Sequence, residues 1–176
     1  MISVFIALTA LAVQAPAAAQ RTLQSLPGVS IQYYDVPGEN ADTIKASLDR
    51  ILKAPAPNTA AAGYDWSLNV AINKHTEGTA CTVTSATATL KANVYLPRLT
   101  GGSKVPGDVA KSFAAYEQGI EQRASDNLWF VADRLPAVQQ SLIGKPCDSV
   151  SSFWNQATTS LTNEQRAFDR ARAAKK

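Results

Sequence analysis

The sequence predicts an α+β domain in which a small antiparallel sheet packs against a long central helix and a C-terminal helix. Two stretches, 64–73 and 80–95, are rich in alternating or β-branched residues, as strands are. Two longer stretches, 108–135 and from 148 onward, repeat apolar residues at three and four spacing, which is typical of helices with one buried face. A chain of 176 residues is long enough for one such domain with its own core.

The N-terminal block has the pattern of a signal peptide. An apolar run from Val4 to Val13 is followed by small residues, and Ala17 and Ala19 place cleavage after Ala19. The run is too short to span a bilayer, and no later apolar stretch approaches the length that a membrane-spanning helix needs. We expect residues 1–19 to be removed and 20–176 to form a single domain in the periplasm or outside the cell. An uncleaved anchor is the alternative.

The first half of the mature chain predicts a leader, a strand and a helix. Residues 21–27 are expected to be a disordered leader. The β-branched and aromatic run 29–36 predicts a strand that ends at Pro37 and Gly38, a turn dipeptide. A three-turn helix is predicted over 39–52, and the small residues of 54–63 predict a loop.

A hairpin is predicted next. Tyr64 to Asn73 alternates apolar and polar residues, 74–78 reads as a polar turn, and 80–95 is rich in threonine with Pro97 closing the strand. His75, the chain's single histidine, falls in that turn, where we expect a surface residue without a functional role.

The central helix carries a stripe of apolar residues, and Pro136 is expected to interrupt it. The stripe consists of Val109, Phe113, Tyr116, Ile120, Ala124 and Val131. A last helix begins near residue 148, with Asp148 or Ser149 as its N-cap. Its polar end, from about residue 164, is expected to project or fray.

Cys81 and Cys147 are the two cysteines of the chain. Export favours oxidation, so we predict one disulfide between them. Such a bond would stabilise the fold by about 4 kcal/mol on the chain-entropy model. Two buried free thiols are the alternative.

The charge pattern argues against a nucleic-acid-binding protein. The net charge is only +3, and basic residues gather only at the C-terminal end, where cations suit the dipole of a helix.

The centre of the long helix nearly spells a catalytic motif. In a zinc peptidase helix that reads His-Glu-x-x-His, two imidazoles four residues apart hold one metal, and the glutamate activates the bound water. Here the sequence is Tyr116-Glu117-Gln118-Gly119-Ile120, so only the glutamate remains.

The order of these motifs resembles a bacterial family of predicted secreted zinc-dependent proteases, formerly a domain of unknown function. The likeness covers nearly the whole mature chain. The family has His-Glu-x-Gly-His where Glu117 and Gly119 match and Tyr116 and Ile120 do not, and Leu99 stands where it tends to have tryptophan. The other features that carry it are Tyr34-Asp35-Val36-Pro37-Gly38, Trp66, Cys81, Leu96-Pro97-Arg98 and Pro146-Cys147.

The departures fall on the residues that would hold zinc. Tyrosine is a weak zinc ligand near neutral pH and isoleucine is none, so no cofactor is expected and Glu117 is vestigial as a catalytic residue. Glu117, Glu121 and Asp126 do not share one face at ligand spacing. No phosphate loop, serine elbow or histidine triad appears.

The resemblance therefore implies an exported, non-catalytic homologue of the protease. The degenerate cleft is expected to be filled by Tyr116 and Ile120, and the protein to bind a peptide or an envelope protein along a sheet edge. One alternative is an active peptidase or hydrolase with an unrecognised site. Another is a structural cell-envelope protein that uses its basic C-terminal helix for contacts.

Overall fold

The computed structural model describes residues 21–53 and 63–174, and it confirms an α+β fold. The predicted signal peptide and all but the last residue of the predicted 54–63 loop lie outside these ranges. The regular elements are, in chain order, β1 (Val29–Val36), α1 (Ala41–Lys53), β2 (Tyr64–Glu77), β3 (Ala80–Leu99), α2 (Gly107–Ala132), α3 (Leu135–Leu142) and α4 (Val150–Ala173).

The sheet has three strands in the order β1-β3-β2. The predicted antiparallel hairpin of β2 and β3 is present, with Tyr64 opposite Val94. The sheet as a whole is mixed, however, because β1 joins β3 in parallel, with Val29 opposite Ala92. A parallel pair needs a long connection, and α1 together with β2 supplies it.

The hairpin is longer than predicted. Strand β2 continues to Glu77, so His75 lies in the strand opposite Thr82 and not in a turn. Gly78 adopts a φ of +60° and begins the tight connection to β3. Pro97 also lies inside β3 and does not close it. Strand β2 begins opposite Val94, so it does not extend as far as Pro97. No β2 carbonyl therefore needs a hydrogen bond from Pro97, which has no backbone N–H.

The main core lies between β3 and the helices. Leu90, Ala92, Val94 and Leu96 of β3 form one buried row that packs with Ala124, Leu128 and Val131 of α2. The stretch expected to be a disordered leader also belongs to this core. Leu23 begins a short 3₁₀ turn, Leu26 follows it, and the two side chains are 1% and 5% exposed. Their burial stabilises the ordered conformation, because a free leader would leave this apolar surface in water.

A smaller cluster surrounds the start of α2. Val36, Ile44, Val105 and Phe113 are its buried members. It joins the end of β1 to α1, so α1 covers a different part of the molecule from α3 and α4.

Pro136 begins a helix, although it was expected only to interrupt one. Helix α2 ends at Ala132, and α3 starts at Leu135 with Pro136 in its first turn. The first turn tolerates proline because its N–H groups have no intrahelical partner.

The disulfide between Cys81 and Cys147 is present, with the two Cα atoms 5.4 Å apart. Backbone hydrogen bonds reinforce it: the Val83 N–H donates to the Lys145 carbonyl at 3.0 Å, and the Gly144 N–H donates to the Val83 carbonyl at 2.9 Å. The disulfide therefore fixes the turn before α4 to the end of the hairpin where β2 connects to β3.

Helix α4 begins at Val150 with Ser149 at the N-cap position, as predicted, but the Ser149 hydroxyl donates to the Pro146 carbonyl and does not cap the helix. The expected fraying of its end is wrong. Gln165 is 6% exposed, and the Phe168 ring stacks on Phe130 of α2 at 4.5 Å between centroids. The polar end of α4 packs because polar side chains of α2 form hydrogen bonds with it.

No helix within 21–53 or 63–174 has the length and apolar character needed to cross a membrane.

Candidate functional site

The degenerate motif lies in the middle of α2, and its two substituted positions have different surroundings. Ile120 is partly buried against the main core, where its Cγ2 atom lies 3.3 Å from the place a Cβ at Gly63 would occupy. It thus packs against the start of β2.

Tyr116, in contrast, is 40% exposed, so the prediction that it belongs to the buried stripe is wrong. Its ring lies 6.2 Å from that of Phe113, centroid to centroid. It also neighbours Tyr34: burial first, and then Tyr116, raise the pKa of Tyr34 to about 12. Tyr116 therefore covers the rim of the smaller cluster, and its phenol remains in contact with solvent.

Glu117 and Glu121 follow each other by one helical turn. Burial raises the pKa of Glu117, and the neighbouring Glu121 carboxylate raises it further. Asp126 does not join them, because it pairs with Arg172 of α4. The three carboxylates of α2 thus do not converge on one point.

These residues do not fit the zinc that the resemblance implies. The Ile120 side chain has no donor atom, and the Tyr116 phenol is a weak ligand near neutral pH. Gly119, the other matching motif residue, has no atom within 4 Å of an added Cβ. Within the described part of the chain, no three His, Cys, Asp or Glu side chains are grouped so that they could hold a metal.

A large concave surface lies elsewhere, between β2 and α4. It is an open groove of about 810 Å³, bounded by residues 64–68 of β2 on one side and by α4 on the other. Trp154, Thr158, Thr162, Gln165 and Asp169 are among the α4 residues along it. We call this feature the β2–α4 groove.

The β2 side of the groove is the outer edge of the sheet. The Tyr95 N–H donates to the Gly63 carbonyl at 2.9 Å, which makes this opposite pair a hydrogen-bonded one. Such pairs alternate along an antiparallel ladder, so Asp65 and Ser67 also bond to β3. The N–H and C=O groups of Tyr64, Trp66 and Leu68 consequently point away from β3, at the edge of the sheet that borders the groove. Among the described residues no strand pairs with this edge.

A buried polar network fixes the α4 side. The Gln165 side-chain amide donates to the Asn127 Oδ1 at 2.7 Å and to the Tyr64 hydroxyl at 2.8 Å. The Asn127 amide in turn donates to the Asp169 Oδ1 at 3.0 Å. The network joins β2, α2 and α4, so both sides of the groove are held at a set separation.

Two ionisable members of this network have shifted pKa values. The Arg123 guanidinium holds the pKa of Asp169 below its usual range, with help from Asn127 and against the effect of burial. Burial, followed by the Asp169 carboxylate, raises the pKa of Tyr64 to about 12. At neutral pH the network therefore contains an ionised Asp169 and a neutral phenol.

Sequence reasoning missed this groove because it treated the end of α4 as a frayed helix. One signal was present: Leu161, Gln165 and Phe168 continue the helical spacing of the preceding buried face. The hydrogen-bond partner of Gln165, Asn127, lies 38 residues away, so the helical spacing alone did not show what would satisfy a buried glutamine.

The fold and the groove define a disulfide-bonded α+β domain with an open sheet edge beside a helix. This chain belongs to the family described as bacterial protein of unknown function (DUF922), whose family model matches residues 31–175. No curated protein and no solved structure matches the chain. The family description states no activity, so the protease part of the resemblance stays a proposal.

Proposed function

We propose that this chain is an exported, non-catalytic relative of a zinc-dependent protease and that it binds an extended peptide or protein segment in the β2–α4 groove. The observation that carries the proposal is the outward-facing backbone of Tyr64, Trp66 and Leu68, which offers a row of donors and acceptors beside an open groove. An added strand satisfies such a row with its own backbone, and the adjoining side chains provide selectivity.

The chemistry of the degenerate motif supports the non-catalytic part. Ile120 packs in the core and Tyr116 lies on the rim of the smaller cluster, so neither stands ready to hold a metal or to activate water. Glu117 has its carboxylate neighbour Glu121, and the motif residues on either side of it lack the imidazoles that would hold a metal and its water.

Amide hydrogen exchange, followed residue by residue by NMR, tests the binding mode. The probes are terminally blocked peptides that alternate threonine with glutamate, glutamine or lysine. Binding of any of them should slow exchange of the outward N–H groups of Tyr64, Trp66 and Leu68. The N–H groups of Asp65 and Ser67, which already bond to β3, are the internal control and should change little.

A peptide N-methylated at every residue is the matched control ligand, because it keeps the side chains but has no backbone N–H on either edge with which to complete a strand ladder. It should bind at least tenfold more weakly. Equal binding of the methylated peptide, or no protection of the three outward amides by any probe, would contradict the proposal.

Zinc analysis separates this proposal from the hydrolase alternative. We expect the oxidised mature protein, purified without a histidine tag or chelator, to hold zinc only at background level. The Y116H/I120H variant is the positive control, since two imidazoles four residues apart on one helix face reach one ion. About one zinc per wild-type chain would show that another ligand set exists.

Export is part of the proposal and rests on the pattern of residues 1–19. Protein recovered from the periplasm or the medium should begin at Gln20. A chain that keeps residues 1–19 and sediments with membranes would instead indicate an uncleaved anchor.

A further inference from the structure

Helix α4 runs lengthwise along the β2–α4 groove. Its groove-lining residues recur at three and four spacing, as one face of a helix does: Trp154, Thr158, Thr162, Gln165, Arg166, Asp169 and Arg170. A strand added to β2 would therefore lie beside this face, and alternate side chains of that strand would point toward it.

The charged side chains along the groove differ in whether they already have a partner. Asp169 is occupied by Arg123 and Asn127, and Asp65 accepts hydrogen bonds from Asn93 and Tyr95. Arg166 and Arg170 line the groove and are exposed.

Among the described carboxylates, none lies within ion-pair distance of either arginine. The groove thus offers two guanidinium groups whose charge is not balanced from within the described residues.

The spacing of the two arginines suits an extended ligand. Residues four apart in a helix are separated by about 6 Å along the axis. Residues two apart in a strand are separated by about 6.8 Å and point to the same side. Two acidic side chains at alternate positions of an added strand can therefore each meet one arginine, and guanidinium groups bind carboxylates in a favourable forked geometry.

We propose that the segment bound in the groove is acidic, with the pattern acidic residue, any residue, acidic residue, and that Arg166 and Arg170 are its specificity-determining residues. This inference rests on the proposed function, because it needs a strand at the edge of β2. It adds the chemical class of the partner: an extended, acidic segment of another protein.

The test compares the three alternating peptides by fluorescence anisotropy at low ionic strength. Wild-type protein should bind the glutamate peptide about tenfold more tightly than the glutamine peptide, and the lysine peptide most weakly. R166E/R170E should lose or reverse this order. K53E/K111E is the matched control: it changes the net charge equally, at exposed lysines outside the groove, and should keep the order.

The outcomes separate the two proposals. Equal affinity for the glutamate and glutamine peptides, with the outward amides of β2 still protected, would overturn the acidic preference and leave peptide binding intact. Equal loss in K53E/K111E would also overturn it, by showing an effect of net charge alone. No binding of any peptide would overturn both proposals. A dimer that the glutamate peptide cannot dissociate would assign the groove to a second copy of the chain.

Discussion

Arg123 on α2 donates to Asp169 on α4, with its Nε atom 2.8 Å from the carboxylate Oδ1 and its Nη2 atom on the other oxygen. The Asp169 side chain is 19% exposed, so this carboxylate is less open to water than the other ion-paired carboxylates of the described residues. It holds the end of α4 against α2 and thereby sets one side of the groove.

Replacing Asp169 with asparagine should therefore cost stability. The substitution keeps the shape but leaves Arg123 without its charged acceptor, at a cost of about 1–3 kcal/mol. Urea unfolding at neutral pH measures the difference. The matched control is D49N, which removes an exposed pair with Lys45 on α1 and should leave stability nearly unchanged. Equal losses in the two variants would contradict the structural role of Asp169.

The same carboxylate predicts a dependence on acid. Because the pKa of Asp169 is lower in the folded than in the unfolded protein, its contribution is present above the unfolded value of about 4 and is lost as pH falls through the folded value. The stability difference between wild type and D169N should be constant from about pH 5 to 7 and shrink below about pH 4. Urea midpoints at several pH values check this, and a difference that grows on acidification would contradict it.

The raised pKa of Tyr64 predicts that stability is lost at high pH, the opposite of the dependence expected from Asp169. Its pKa is raised to about 12, so the folded state favours the protonated phenol. That contribution is present below the unfolded pKa of about 10 and is lost as pH rises through the folded value. In a near-ultraviolet absorbance titration of the folded protein, wild type should show late-ionising phenols at Tyr34 and Tyr64, and Y64F should lack one of them. Unchanged late absorbance in Y64F would show that Tyr64 is not shielded.

The elements that the sequence predicted well are those whose signals are local. β1 has its predicted bounds, and α1 differs by at most two residues at either end, because β-branched runs and helical spacing act over a few residues. The disulfide was predicted from the two cysteines of the chain and from the expectation of export. The parallel pairing of β1 with β3 could not be predicted, since it joins residues 63 positions apart, as between Asp35 and Arg98.

The groove was hidden for a related reason. Its network depends on Asn127 and Gln165 meeting in the core, and each residue alone is polar and looks exposed. Only the tertiary fold shows that they satisfy each other, which is why burying them is tolerated.

Reducing the disulfide should weaken the fold without removing it. Cys81 and Cys147 are 66 positions apart, and a loop of that size corresponds to about 4 kcal/mol on the chain-entropy model. The C81S/C147S variant should unfold at a lower urea concentration than wild type. Its free energy of unfolding should be lower by about 2–5 kcal/mol, the range typical of removing a native disulfide. Reductant should shift wild type toward the variant and leave the variant unchanged. A shift in both would point to an effect of the reductant itself.

The motif glycine offers a test of what the degenerate site still requires. Gly119 lies inside α2, its φ is not positive, and an added Cβ would meet nothing within 4 Å. Alanine there should stabilise the protein by about 0.5–1 kcal/mol, because glycine loses more backbone entropy in a helix. The control is G28A: Gly28 has a φ of +82°, and an added Cβ would lie 2.0 Å from the Leu90 carbonyl oxygen, so alanine should destabilise the fold. Thermal and urea unfolding of both variants measure the two effects. If G119A destabilised the protein, the motif glycine would have a contact or a backbone strain that the present fold does not contain, and the vestigial interpretation of the motif would lose its support.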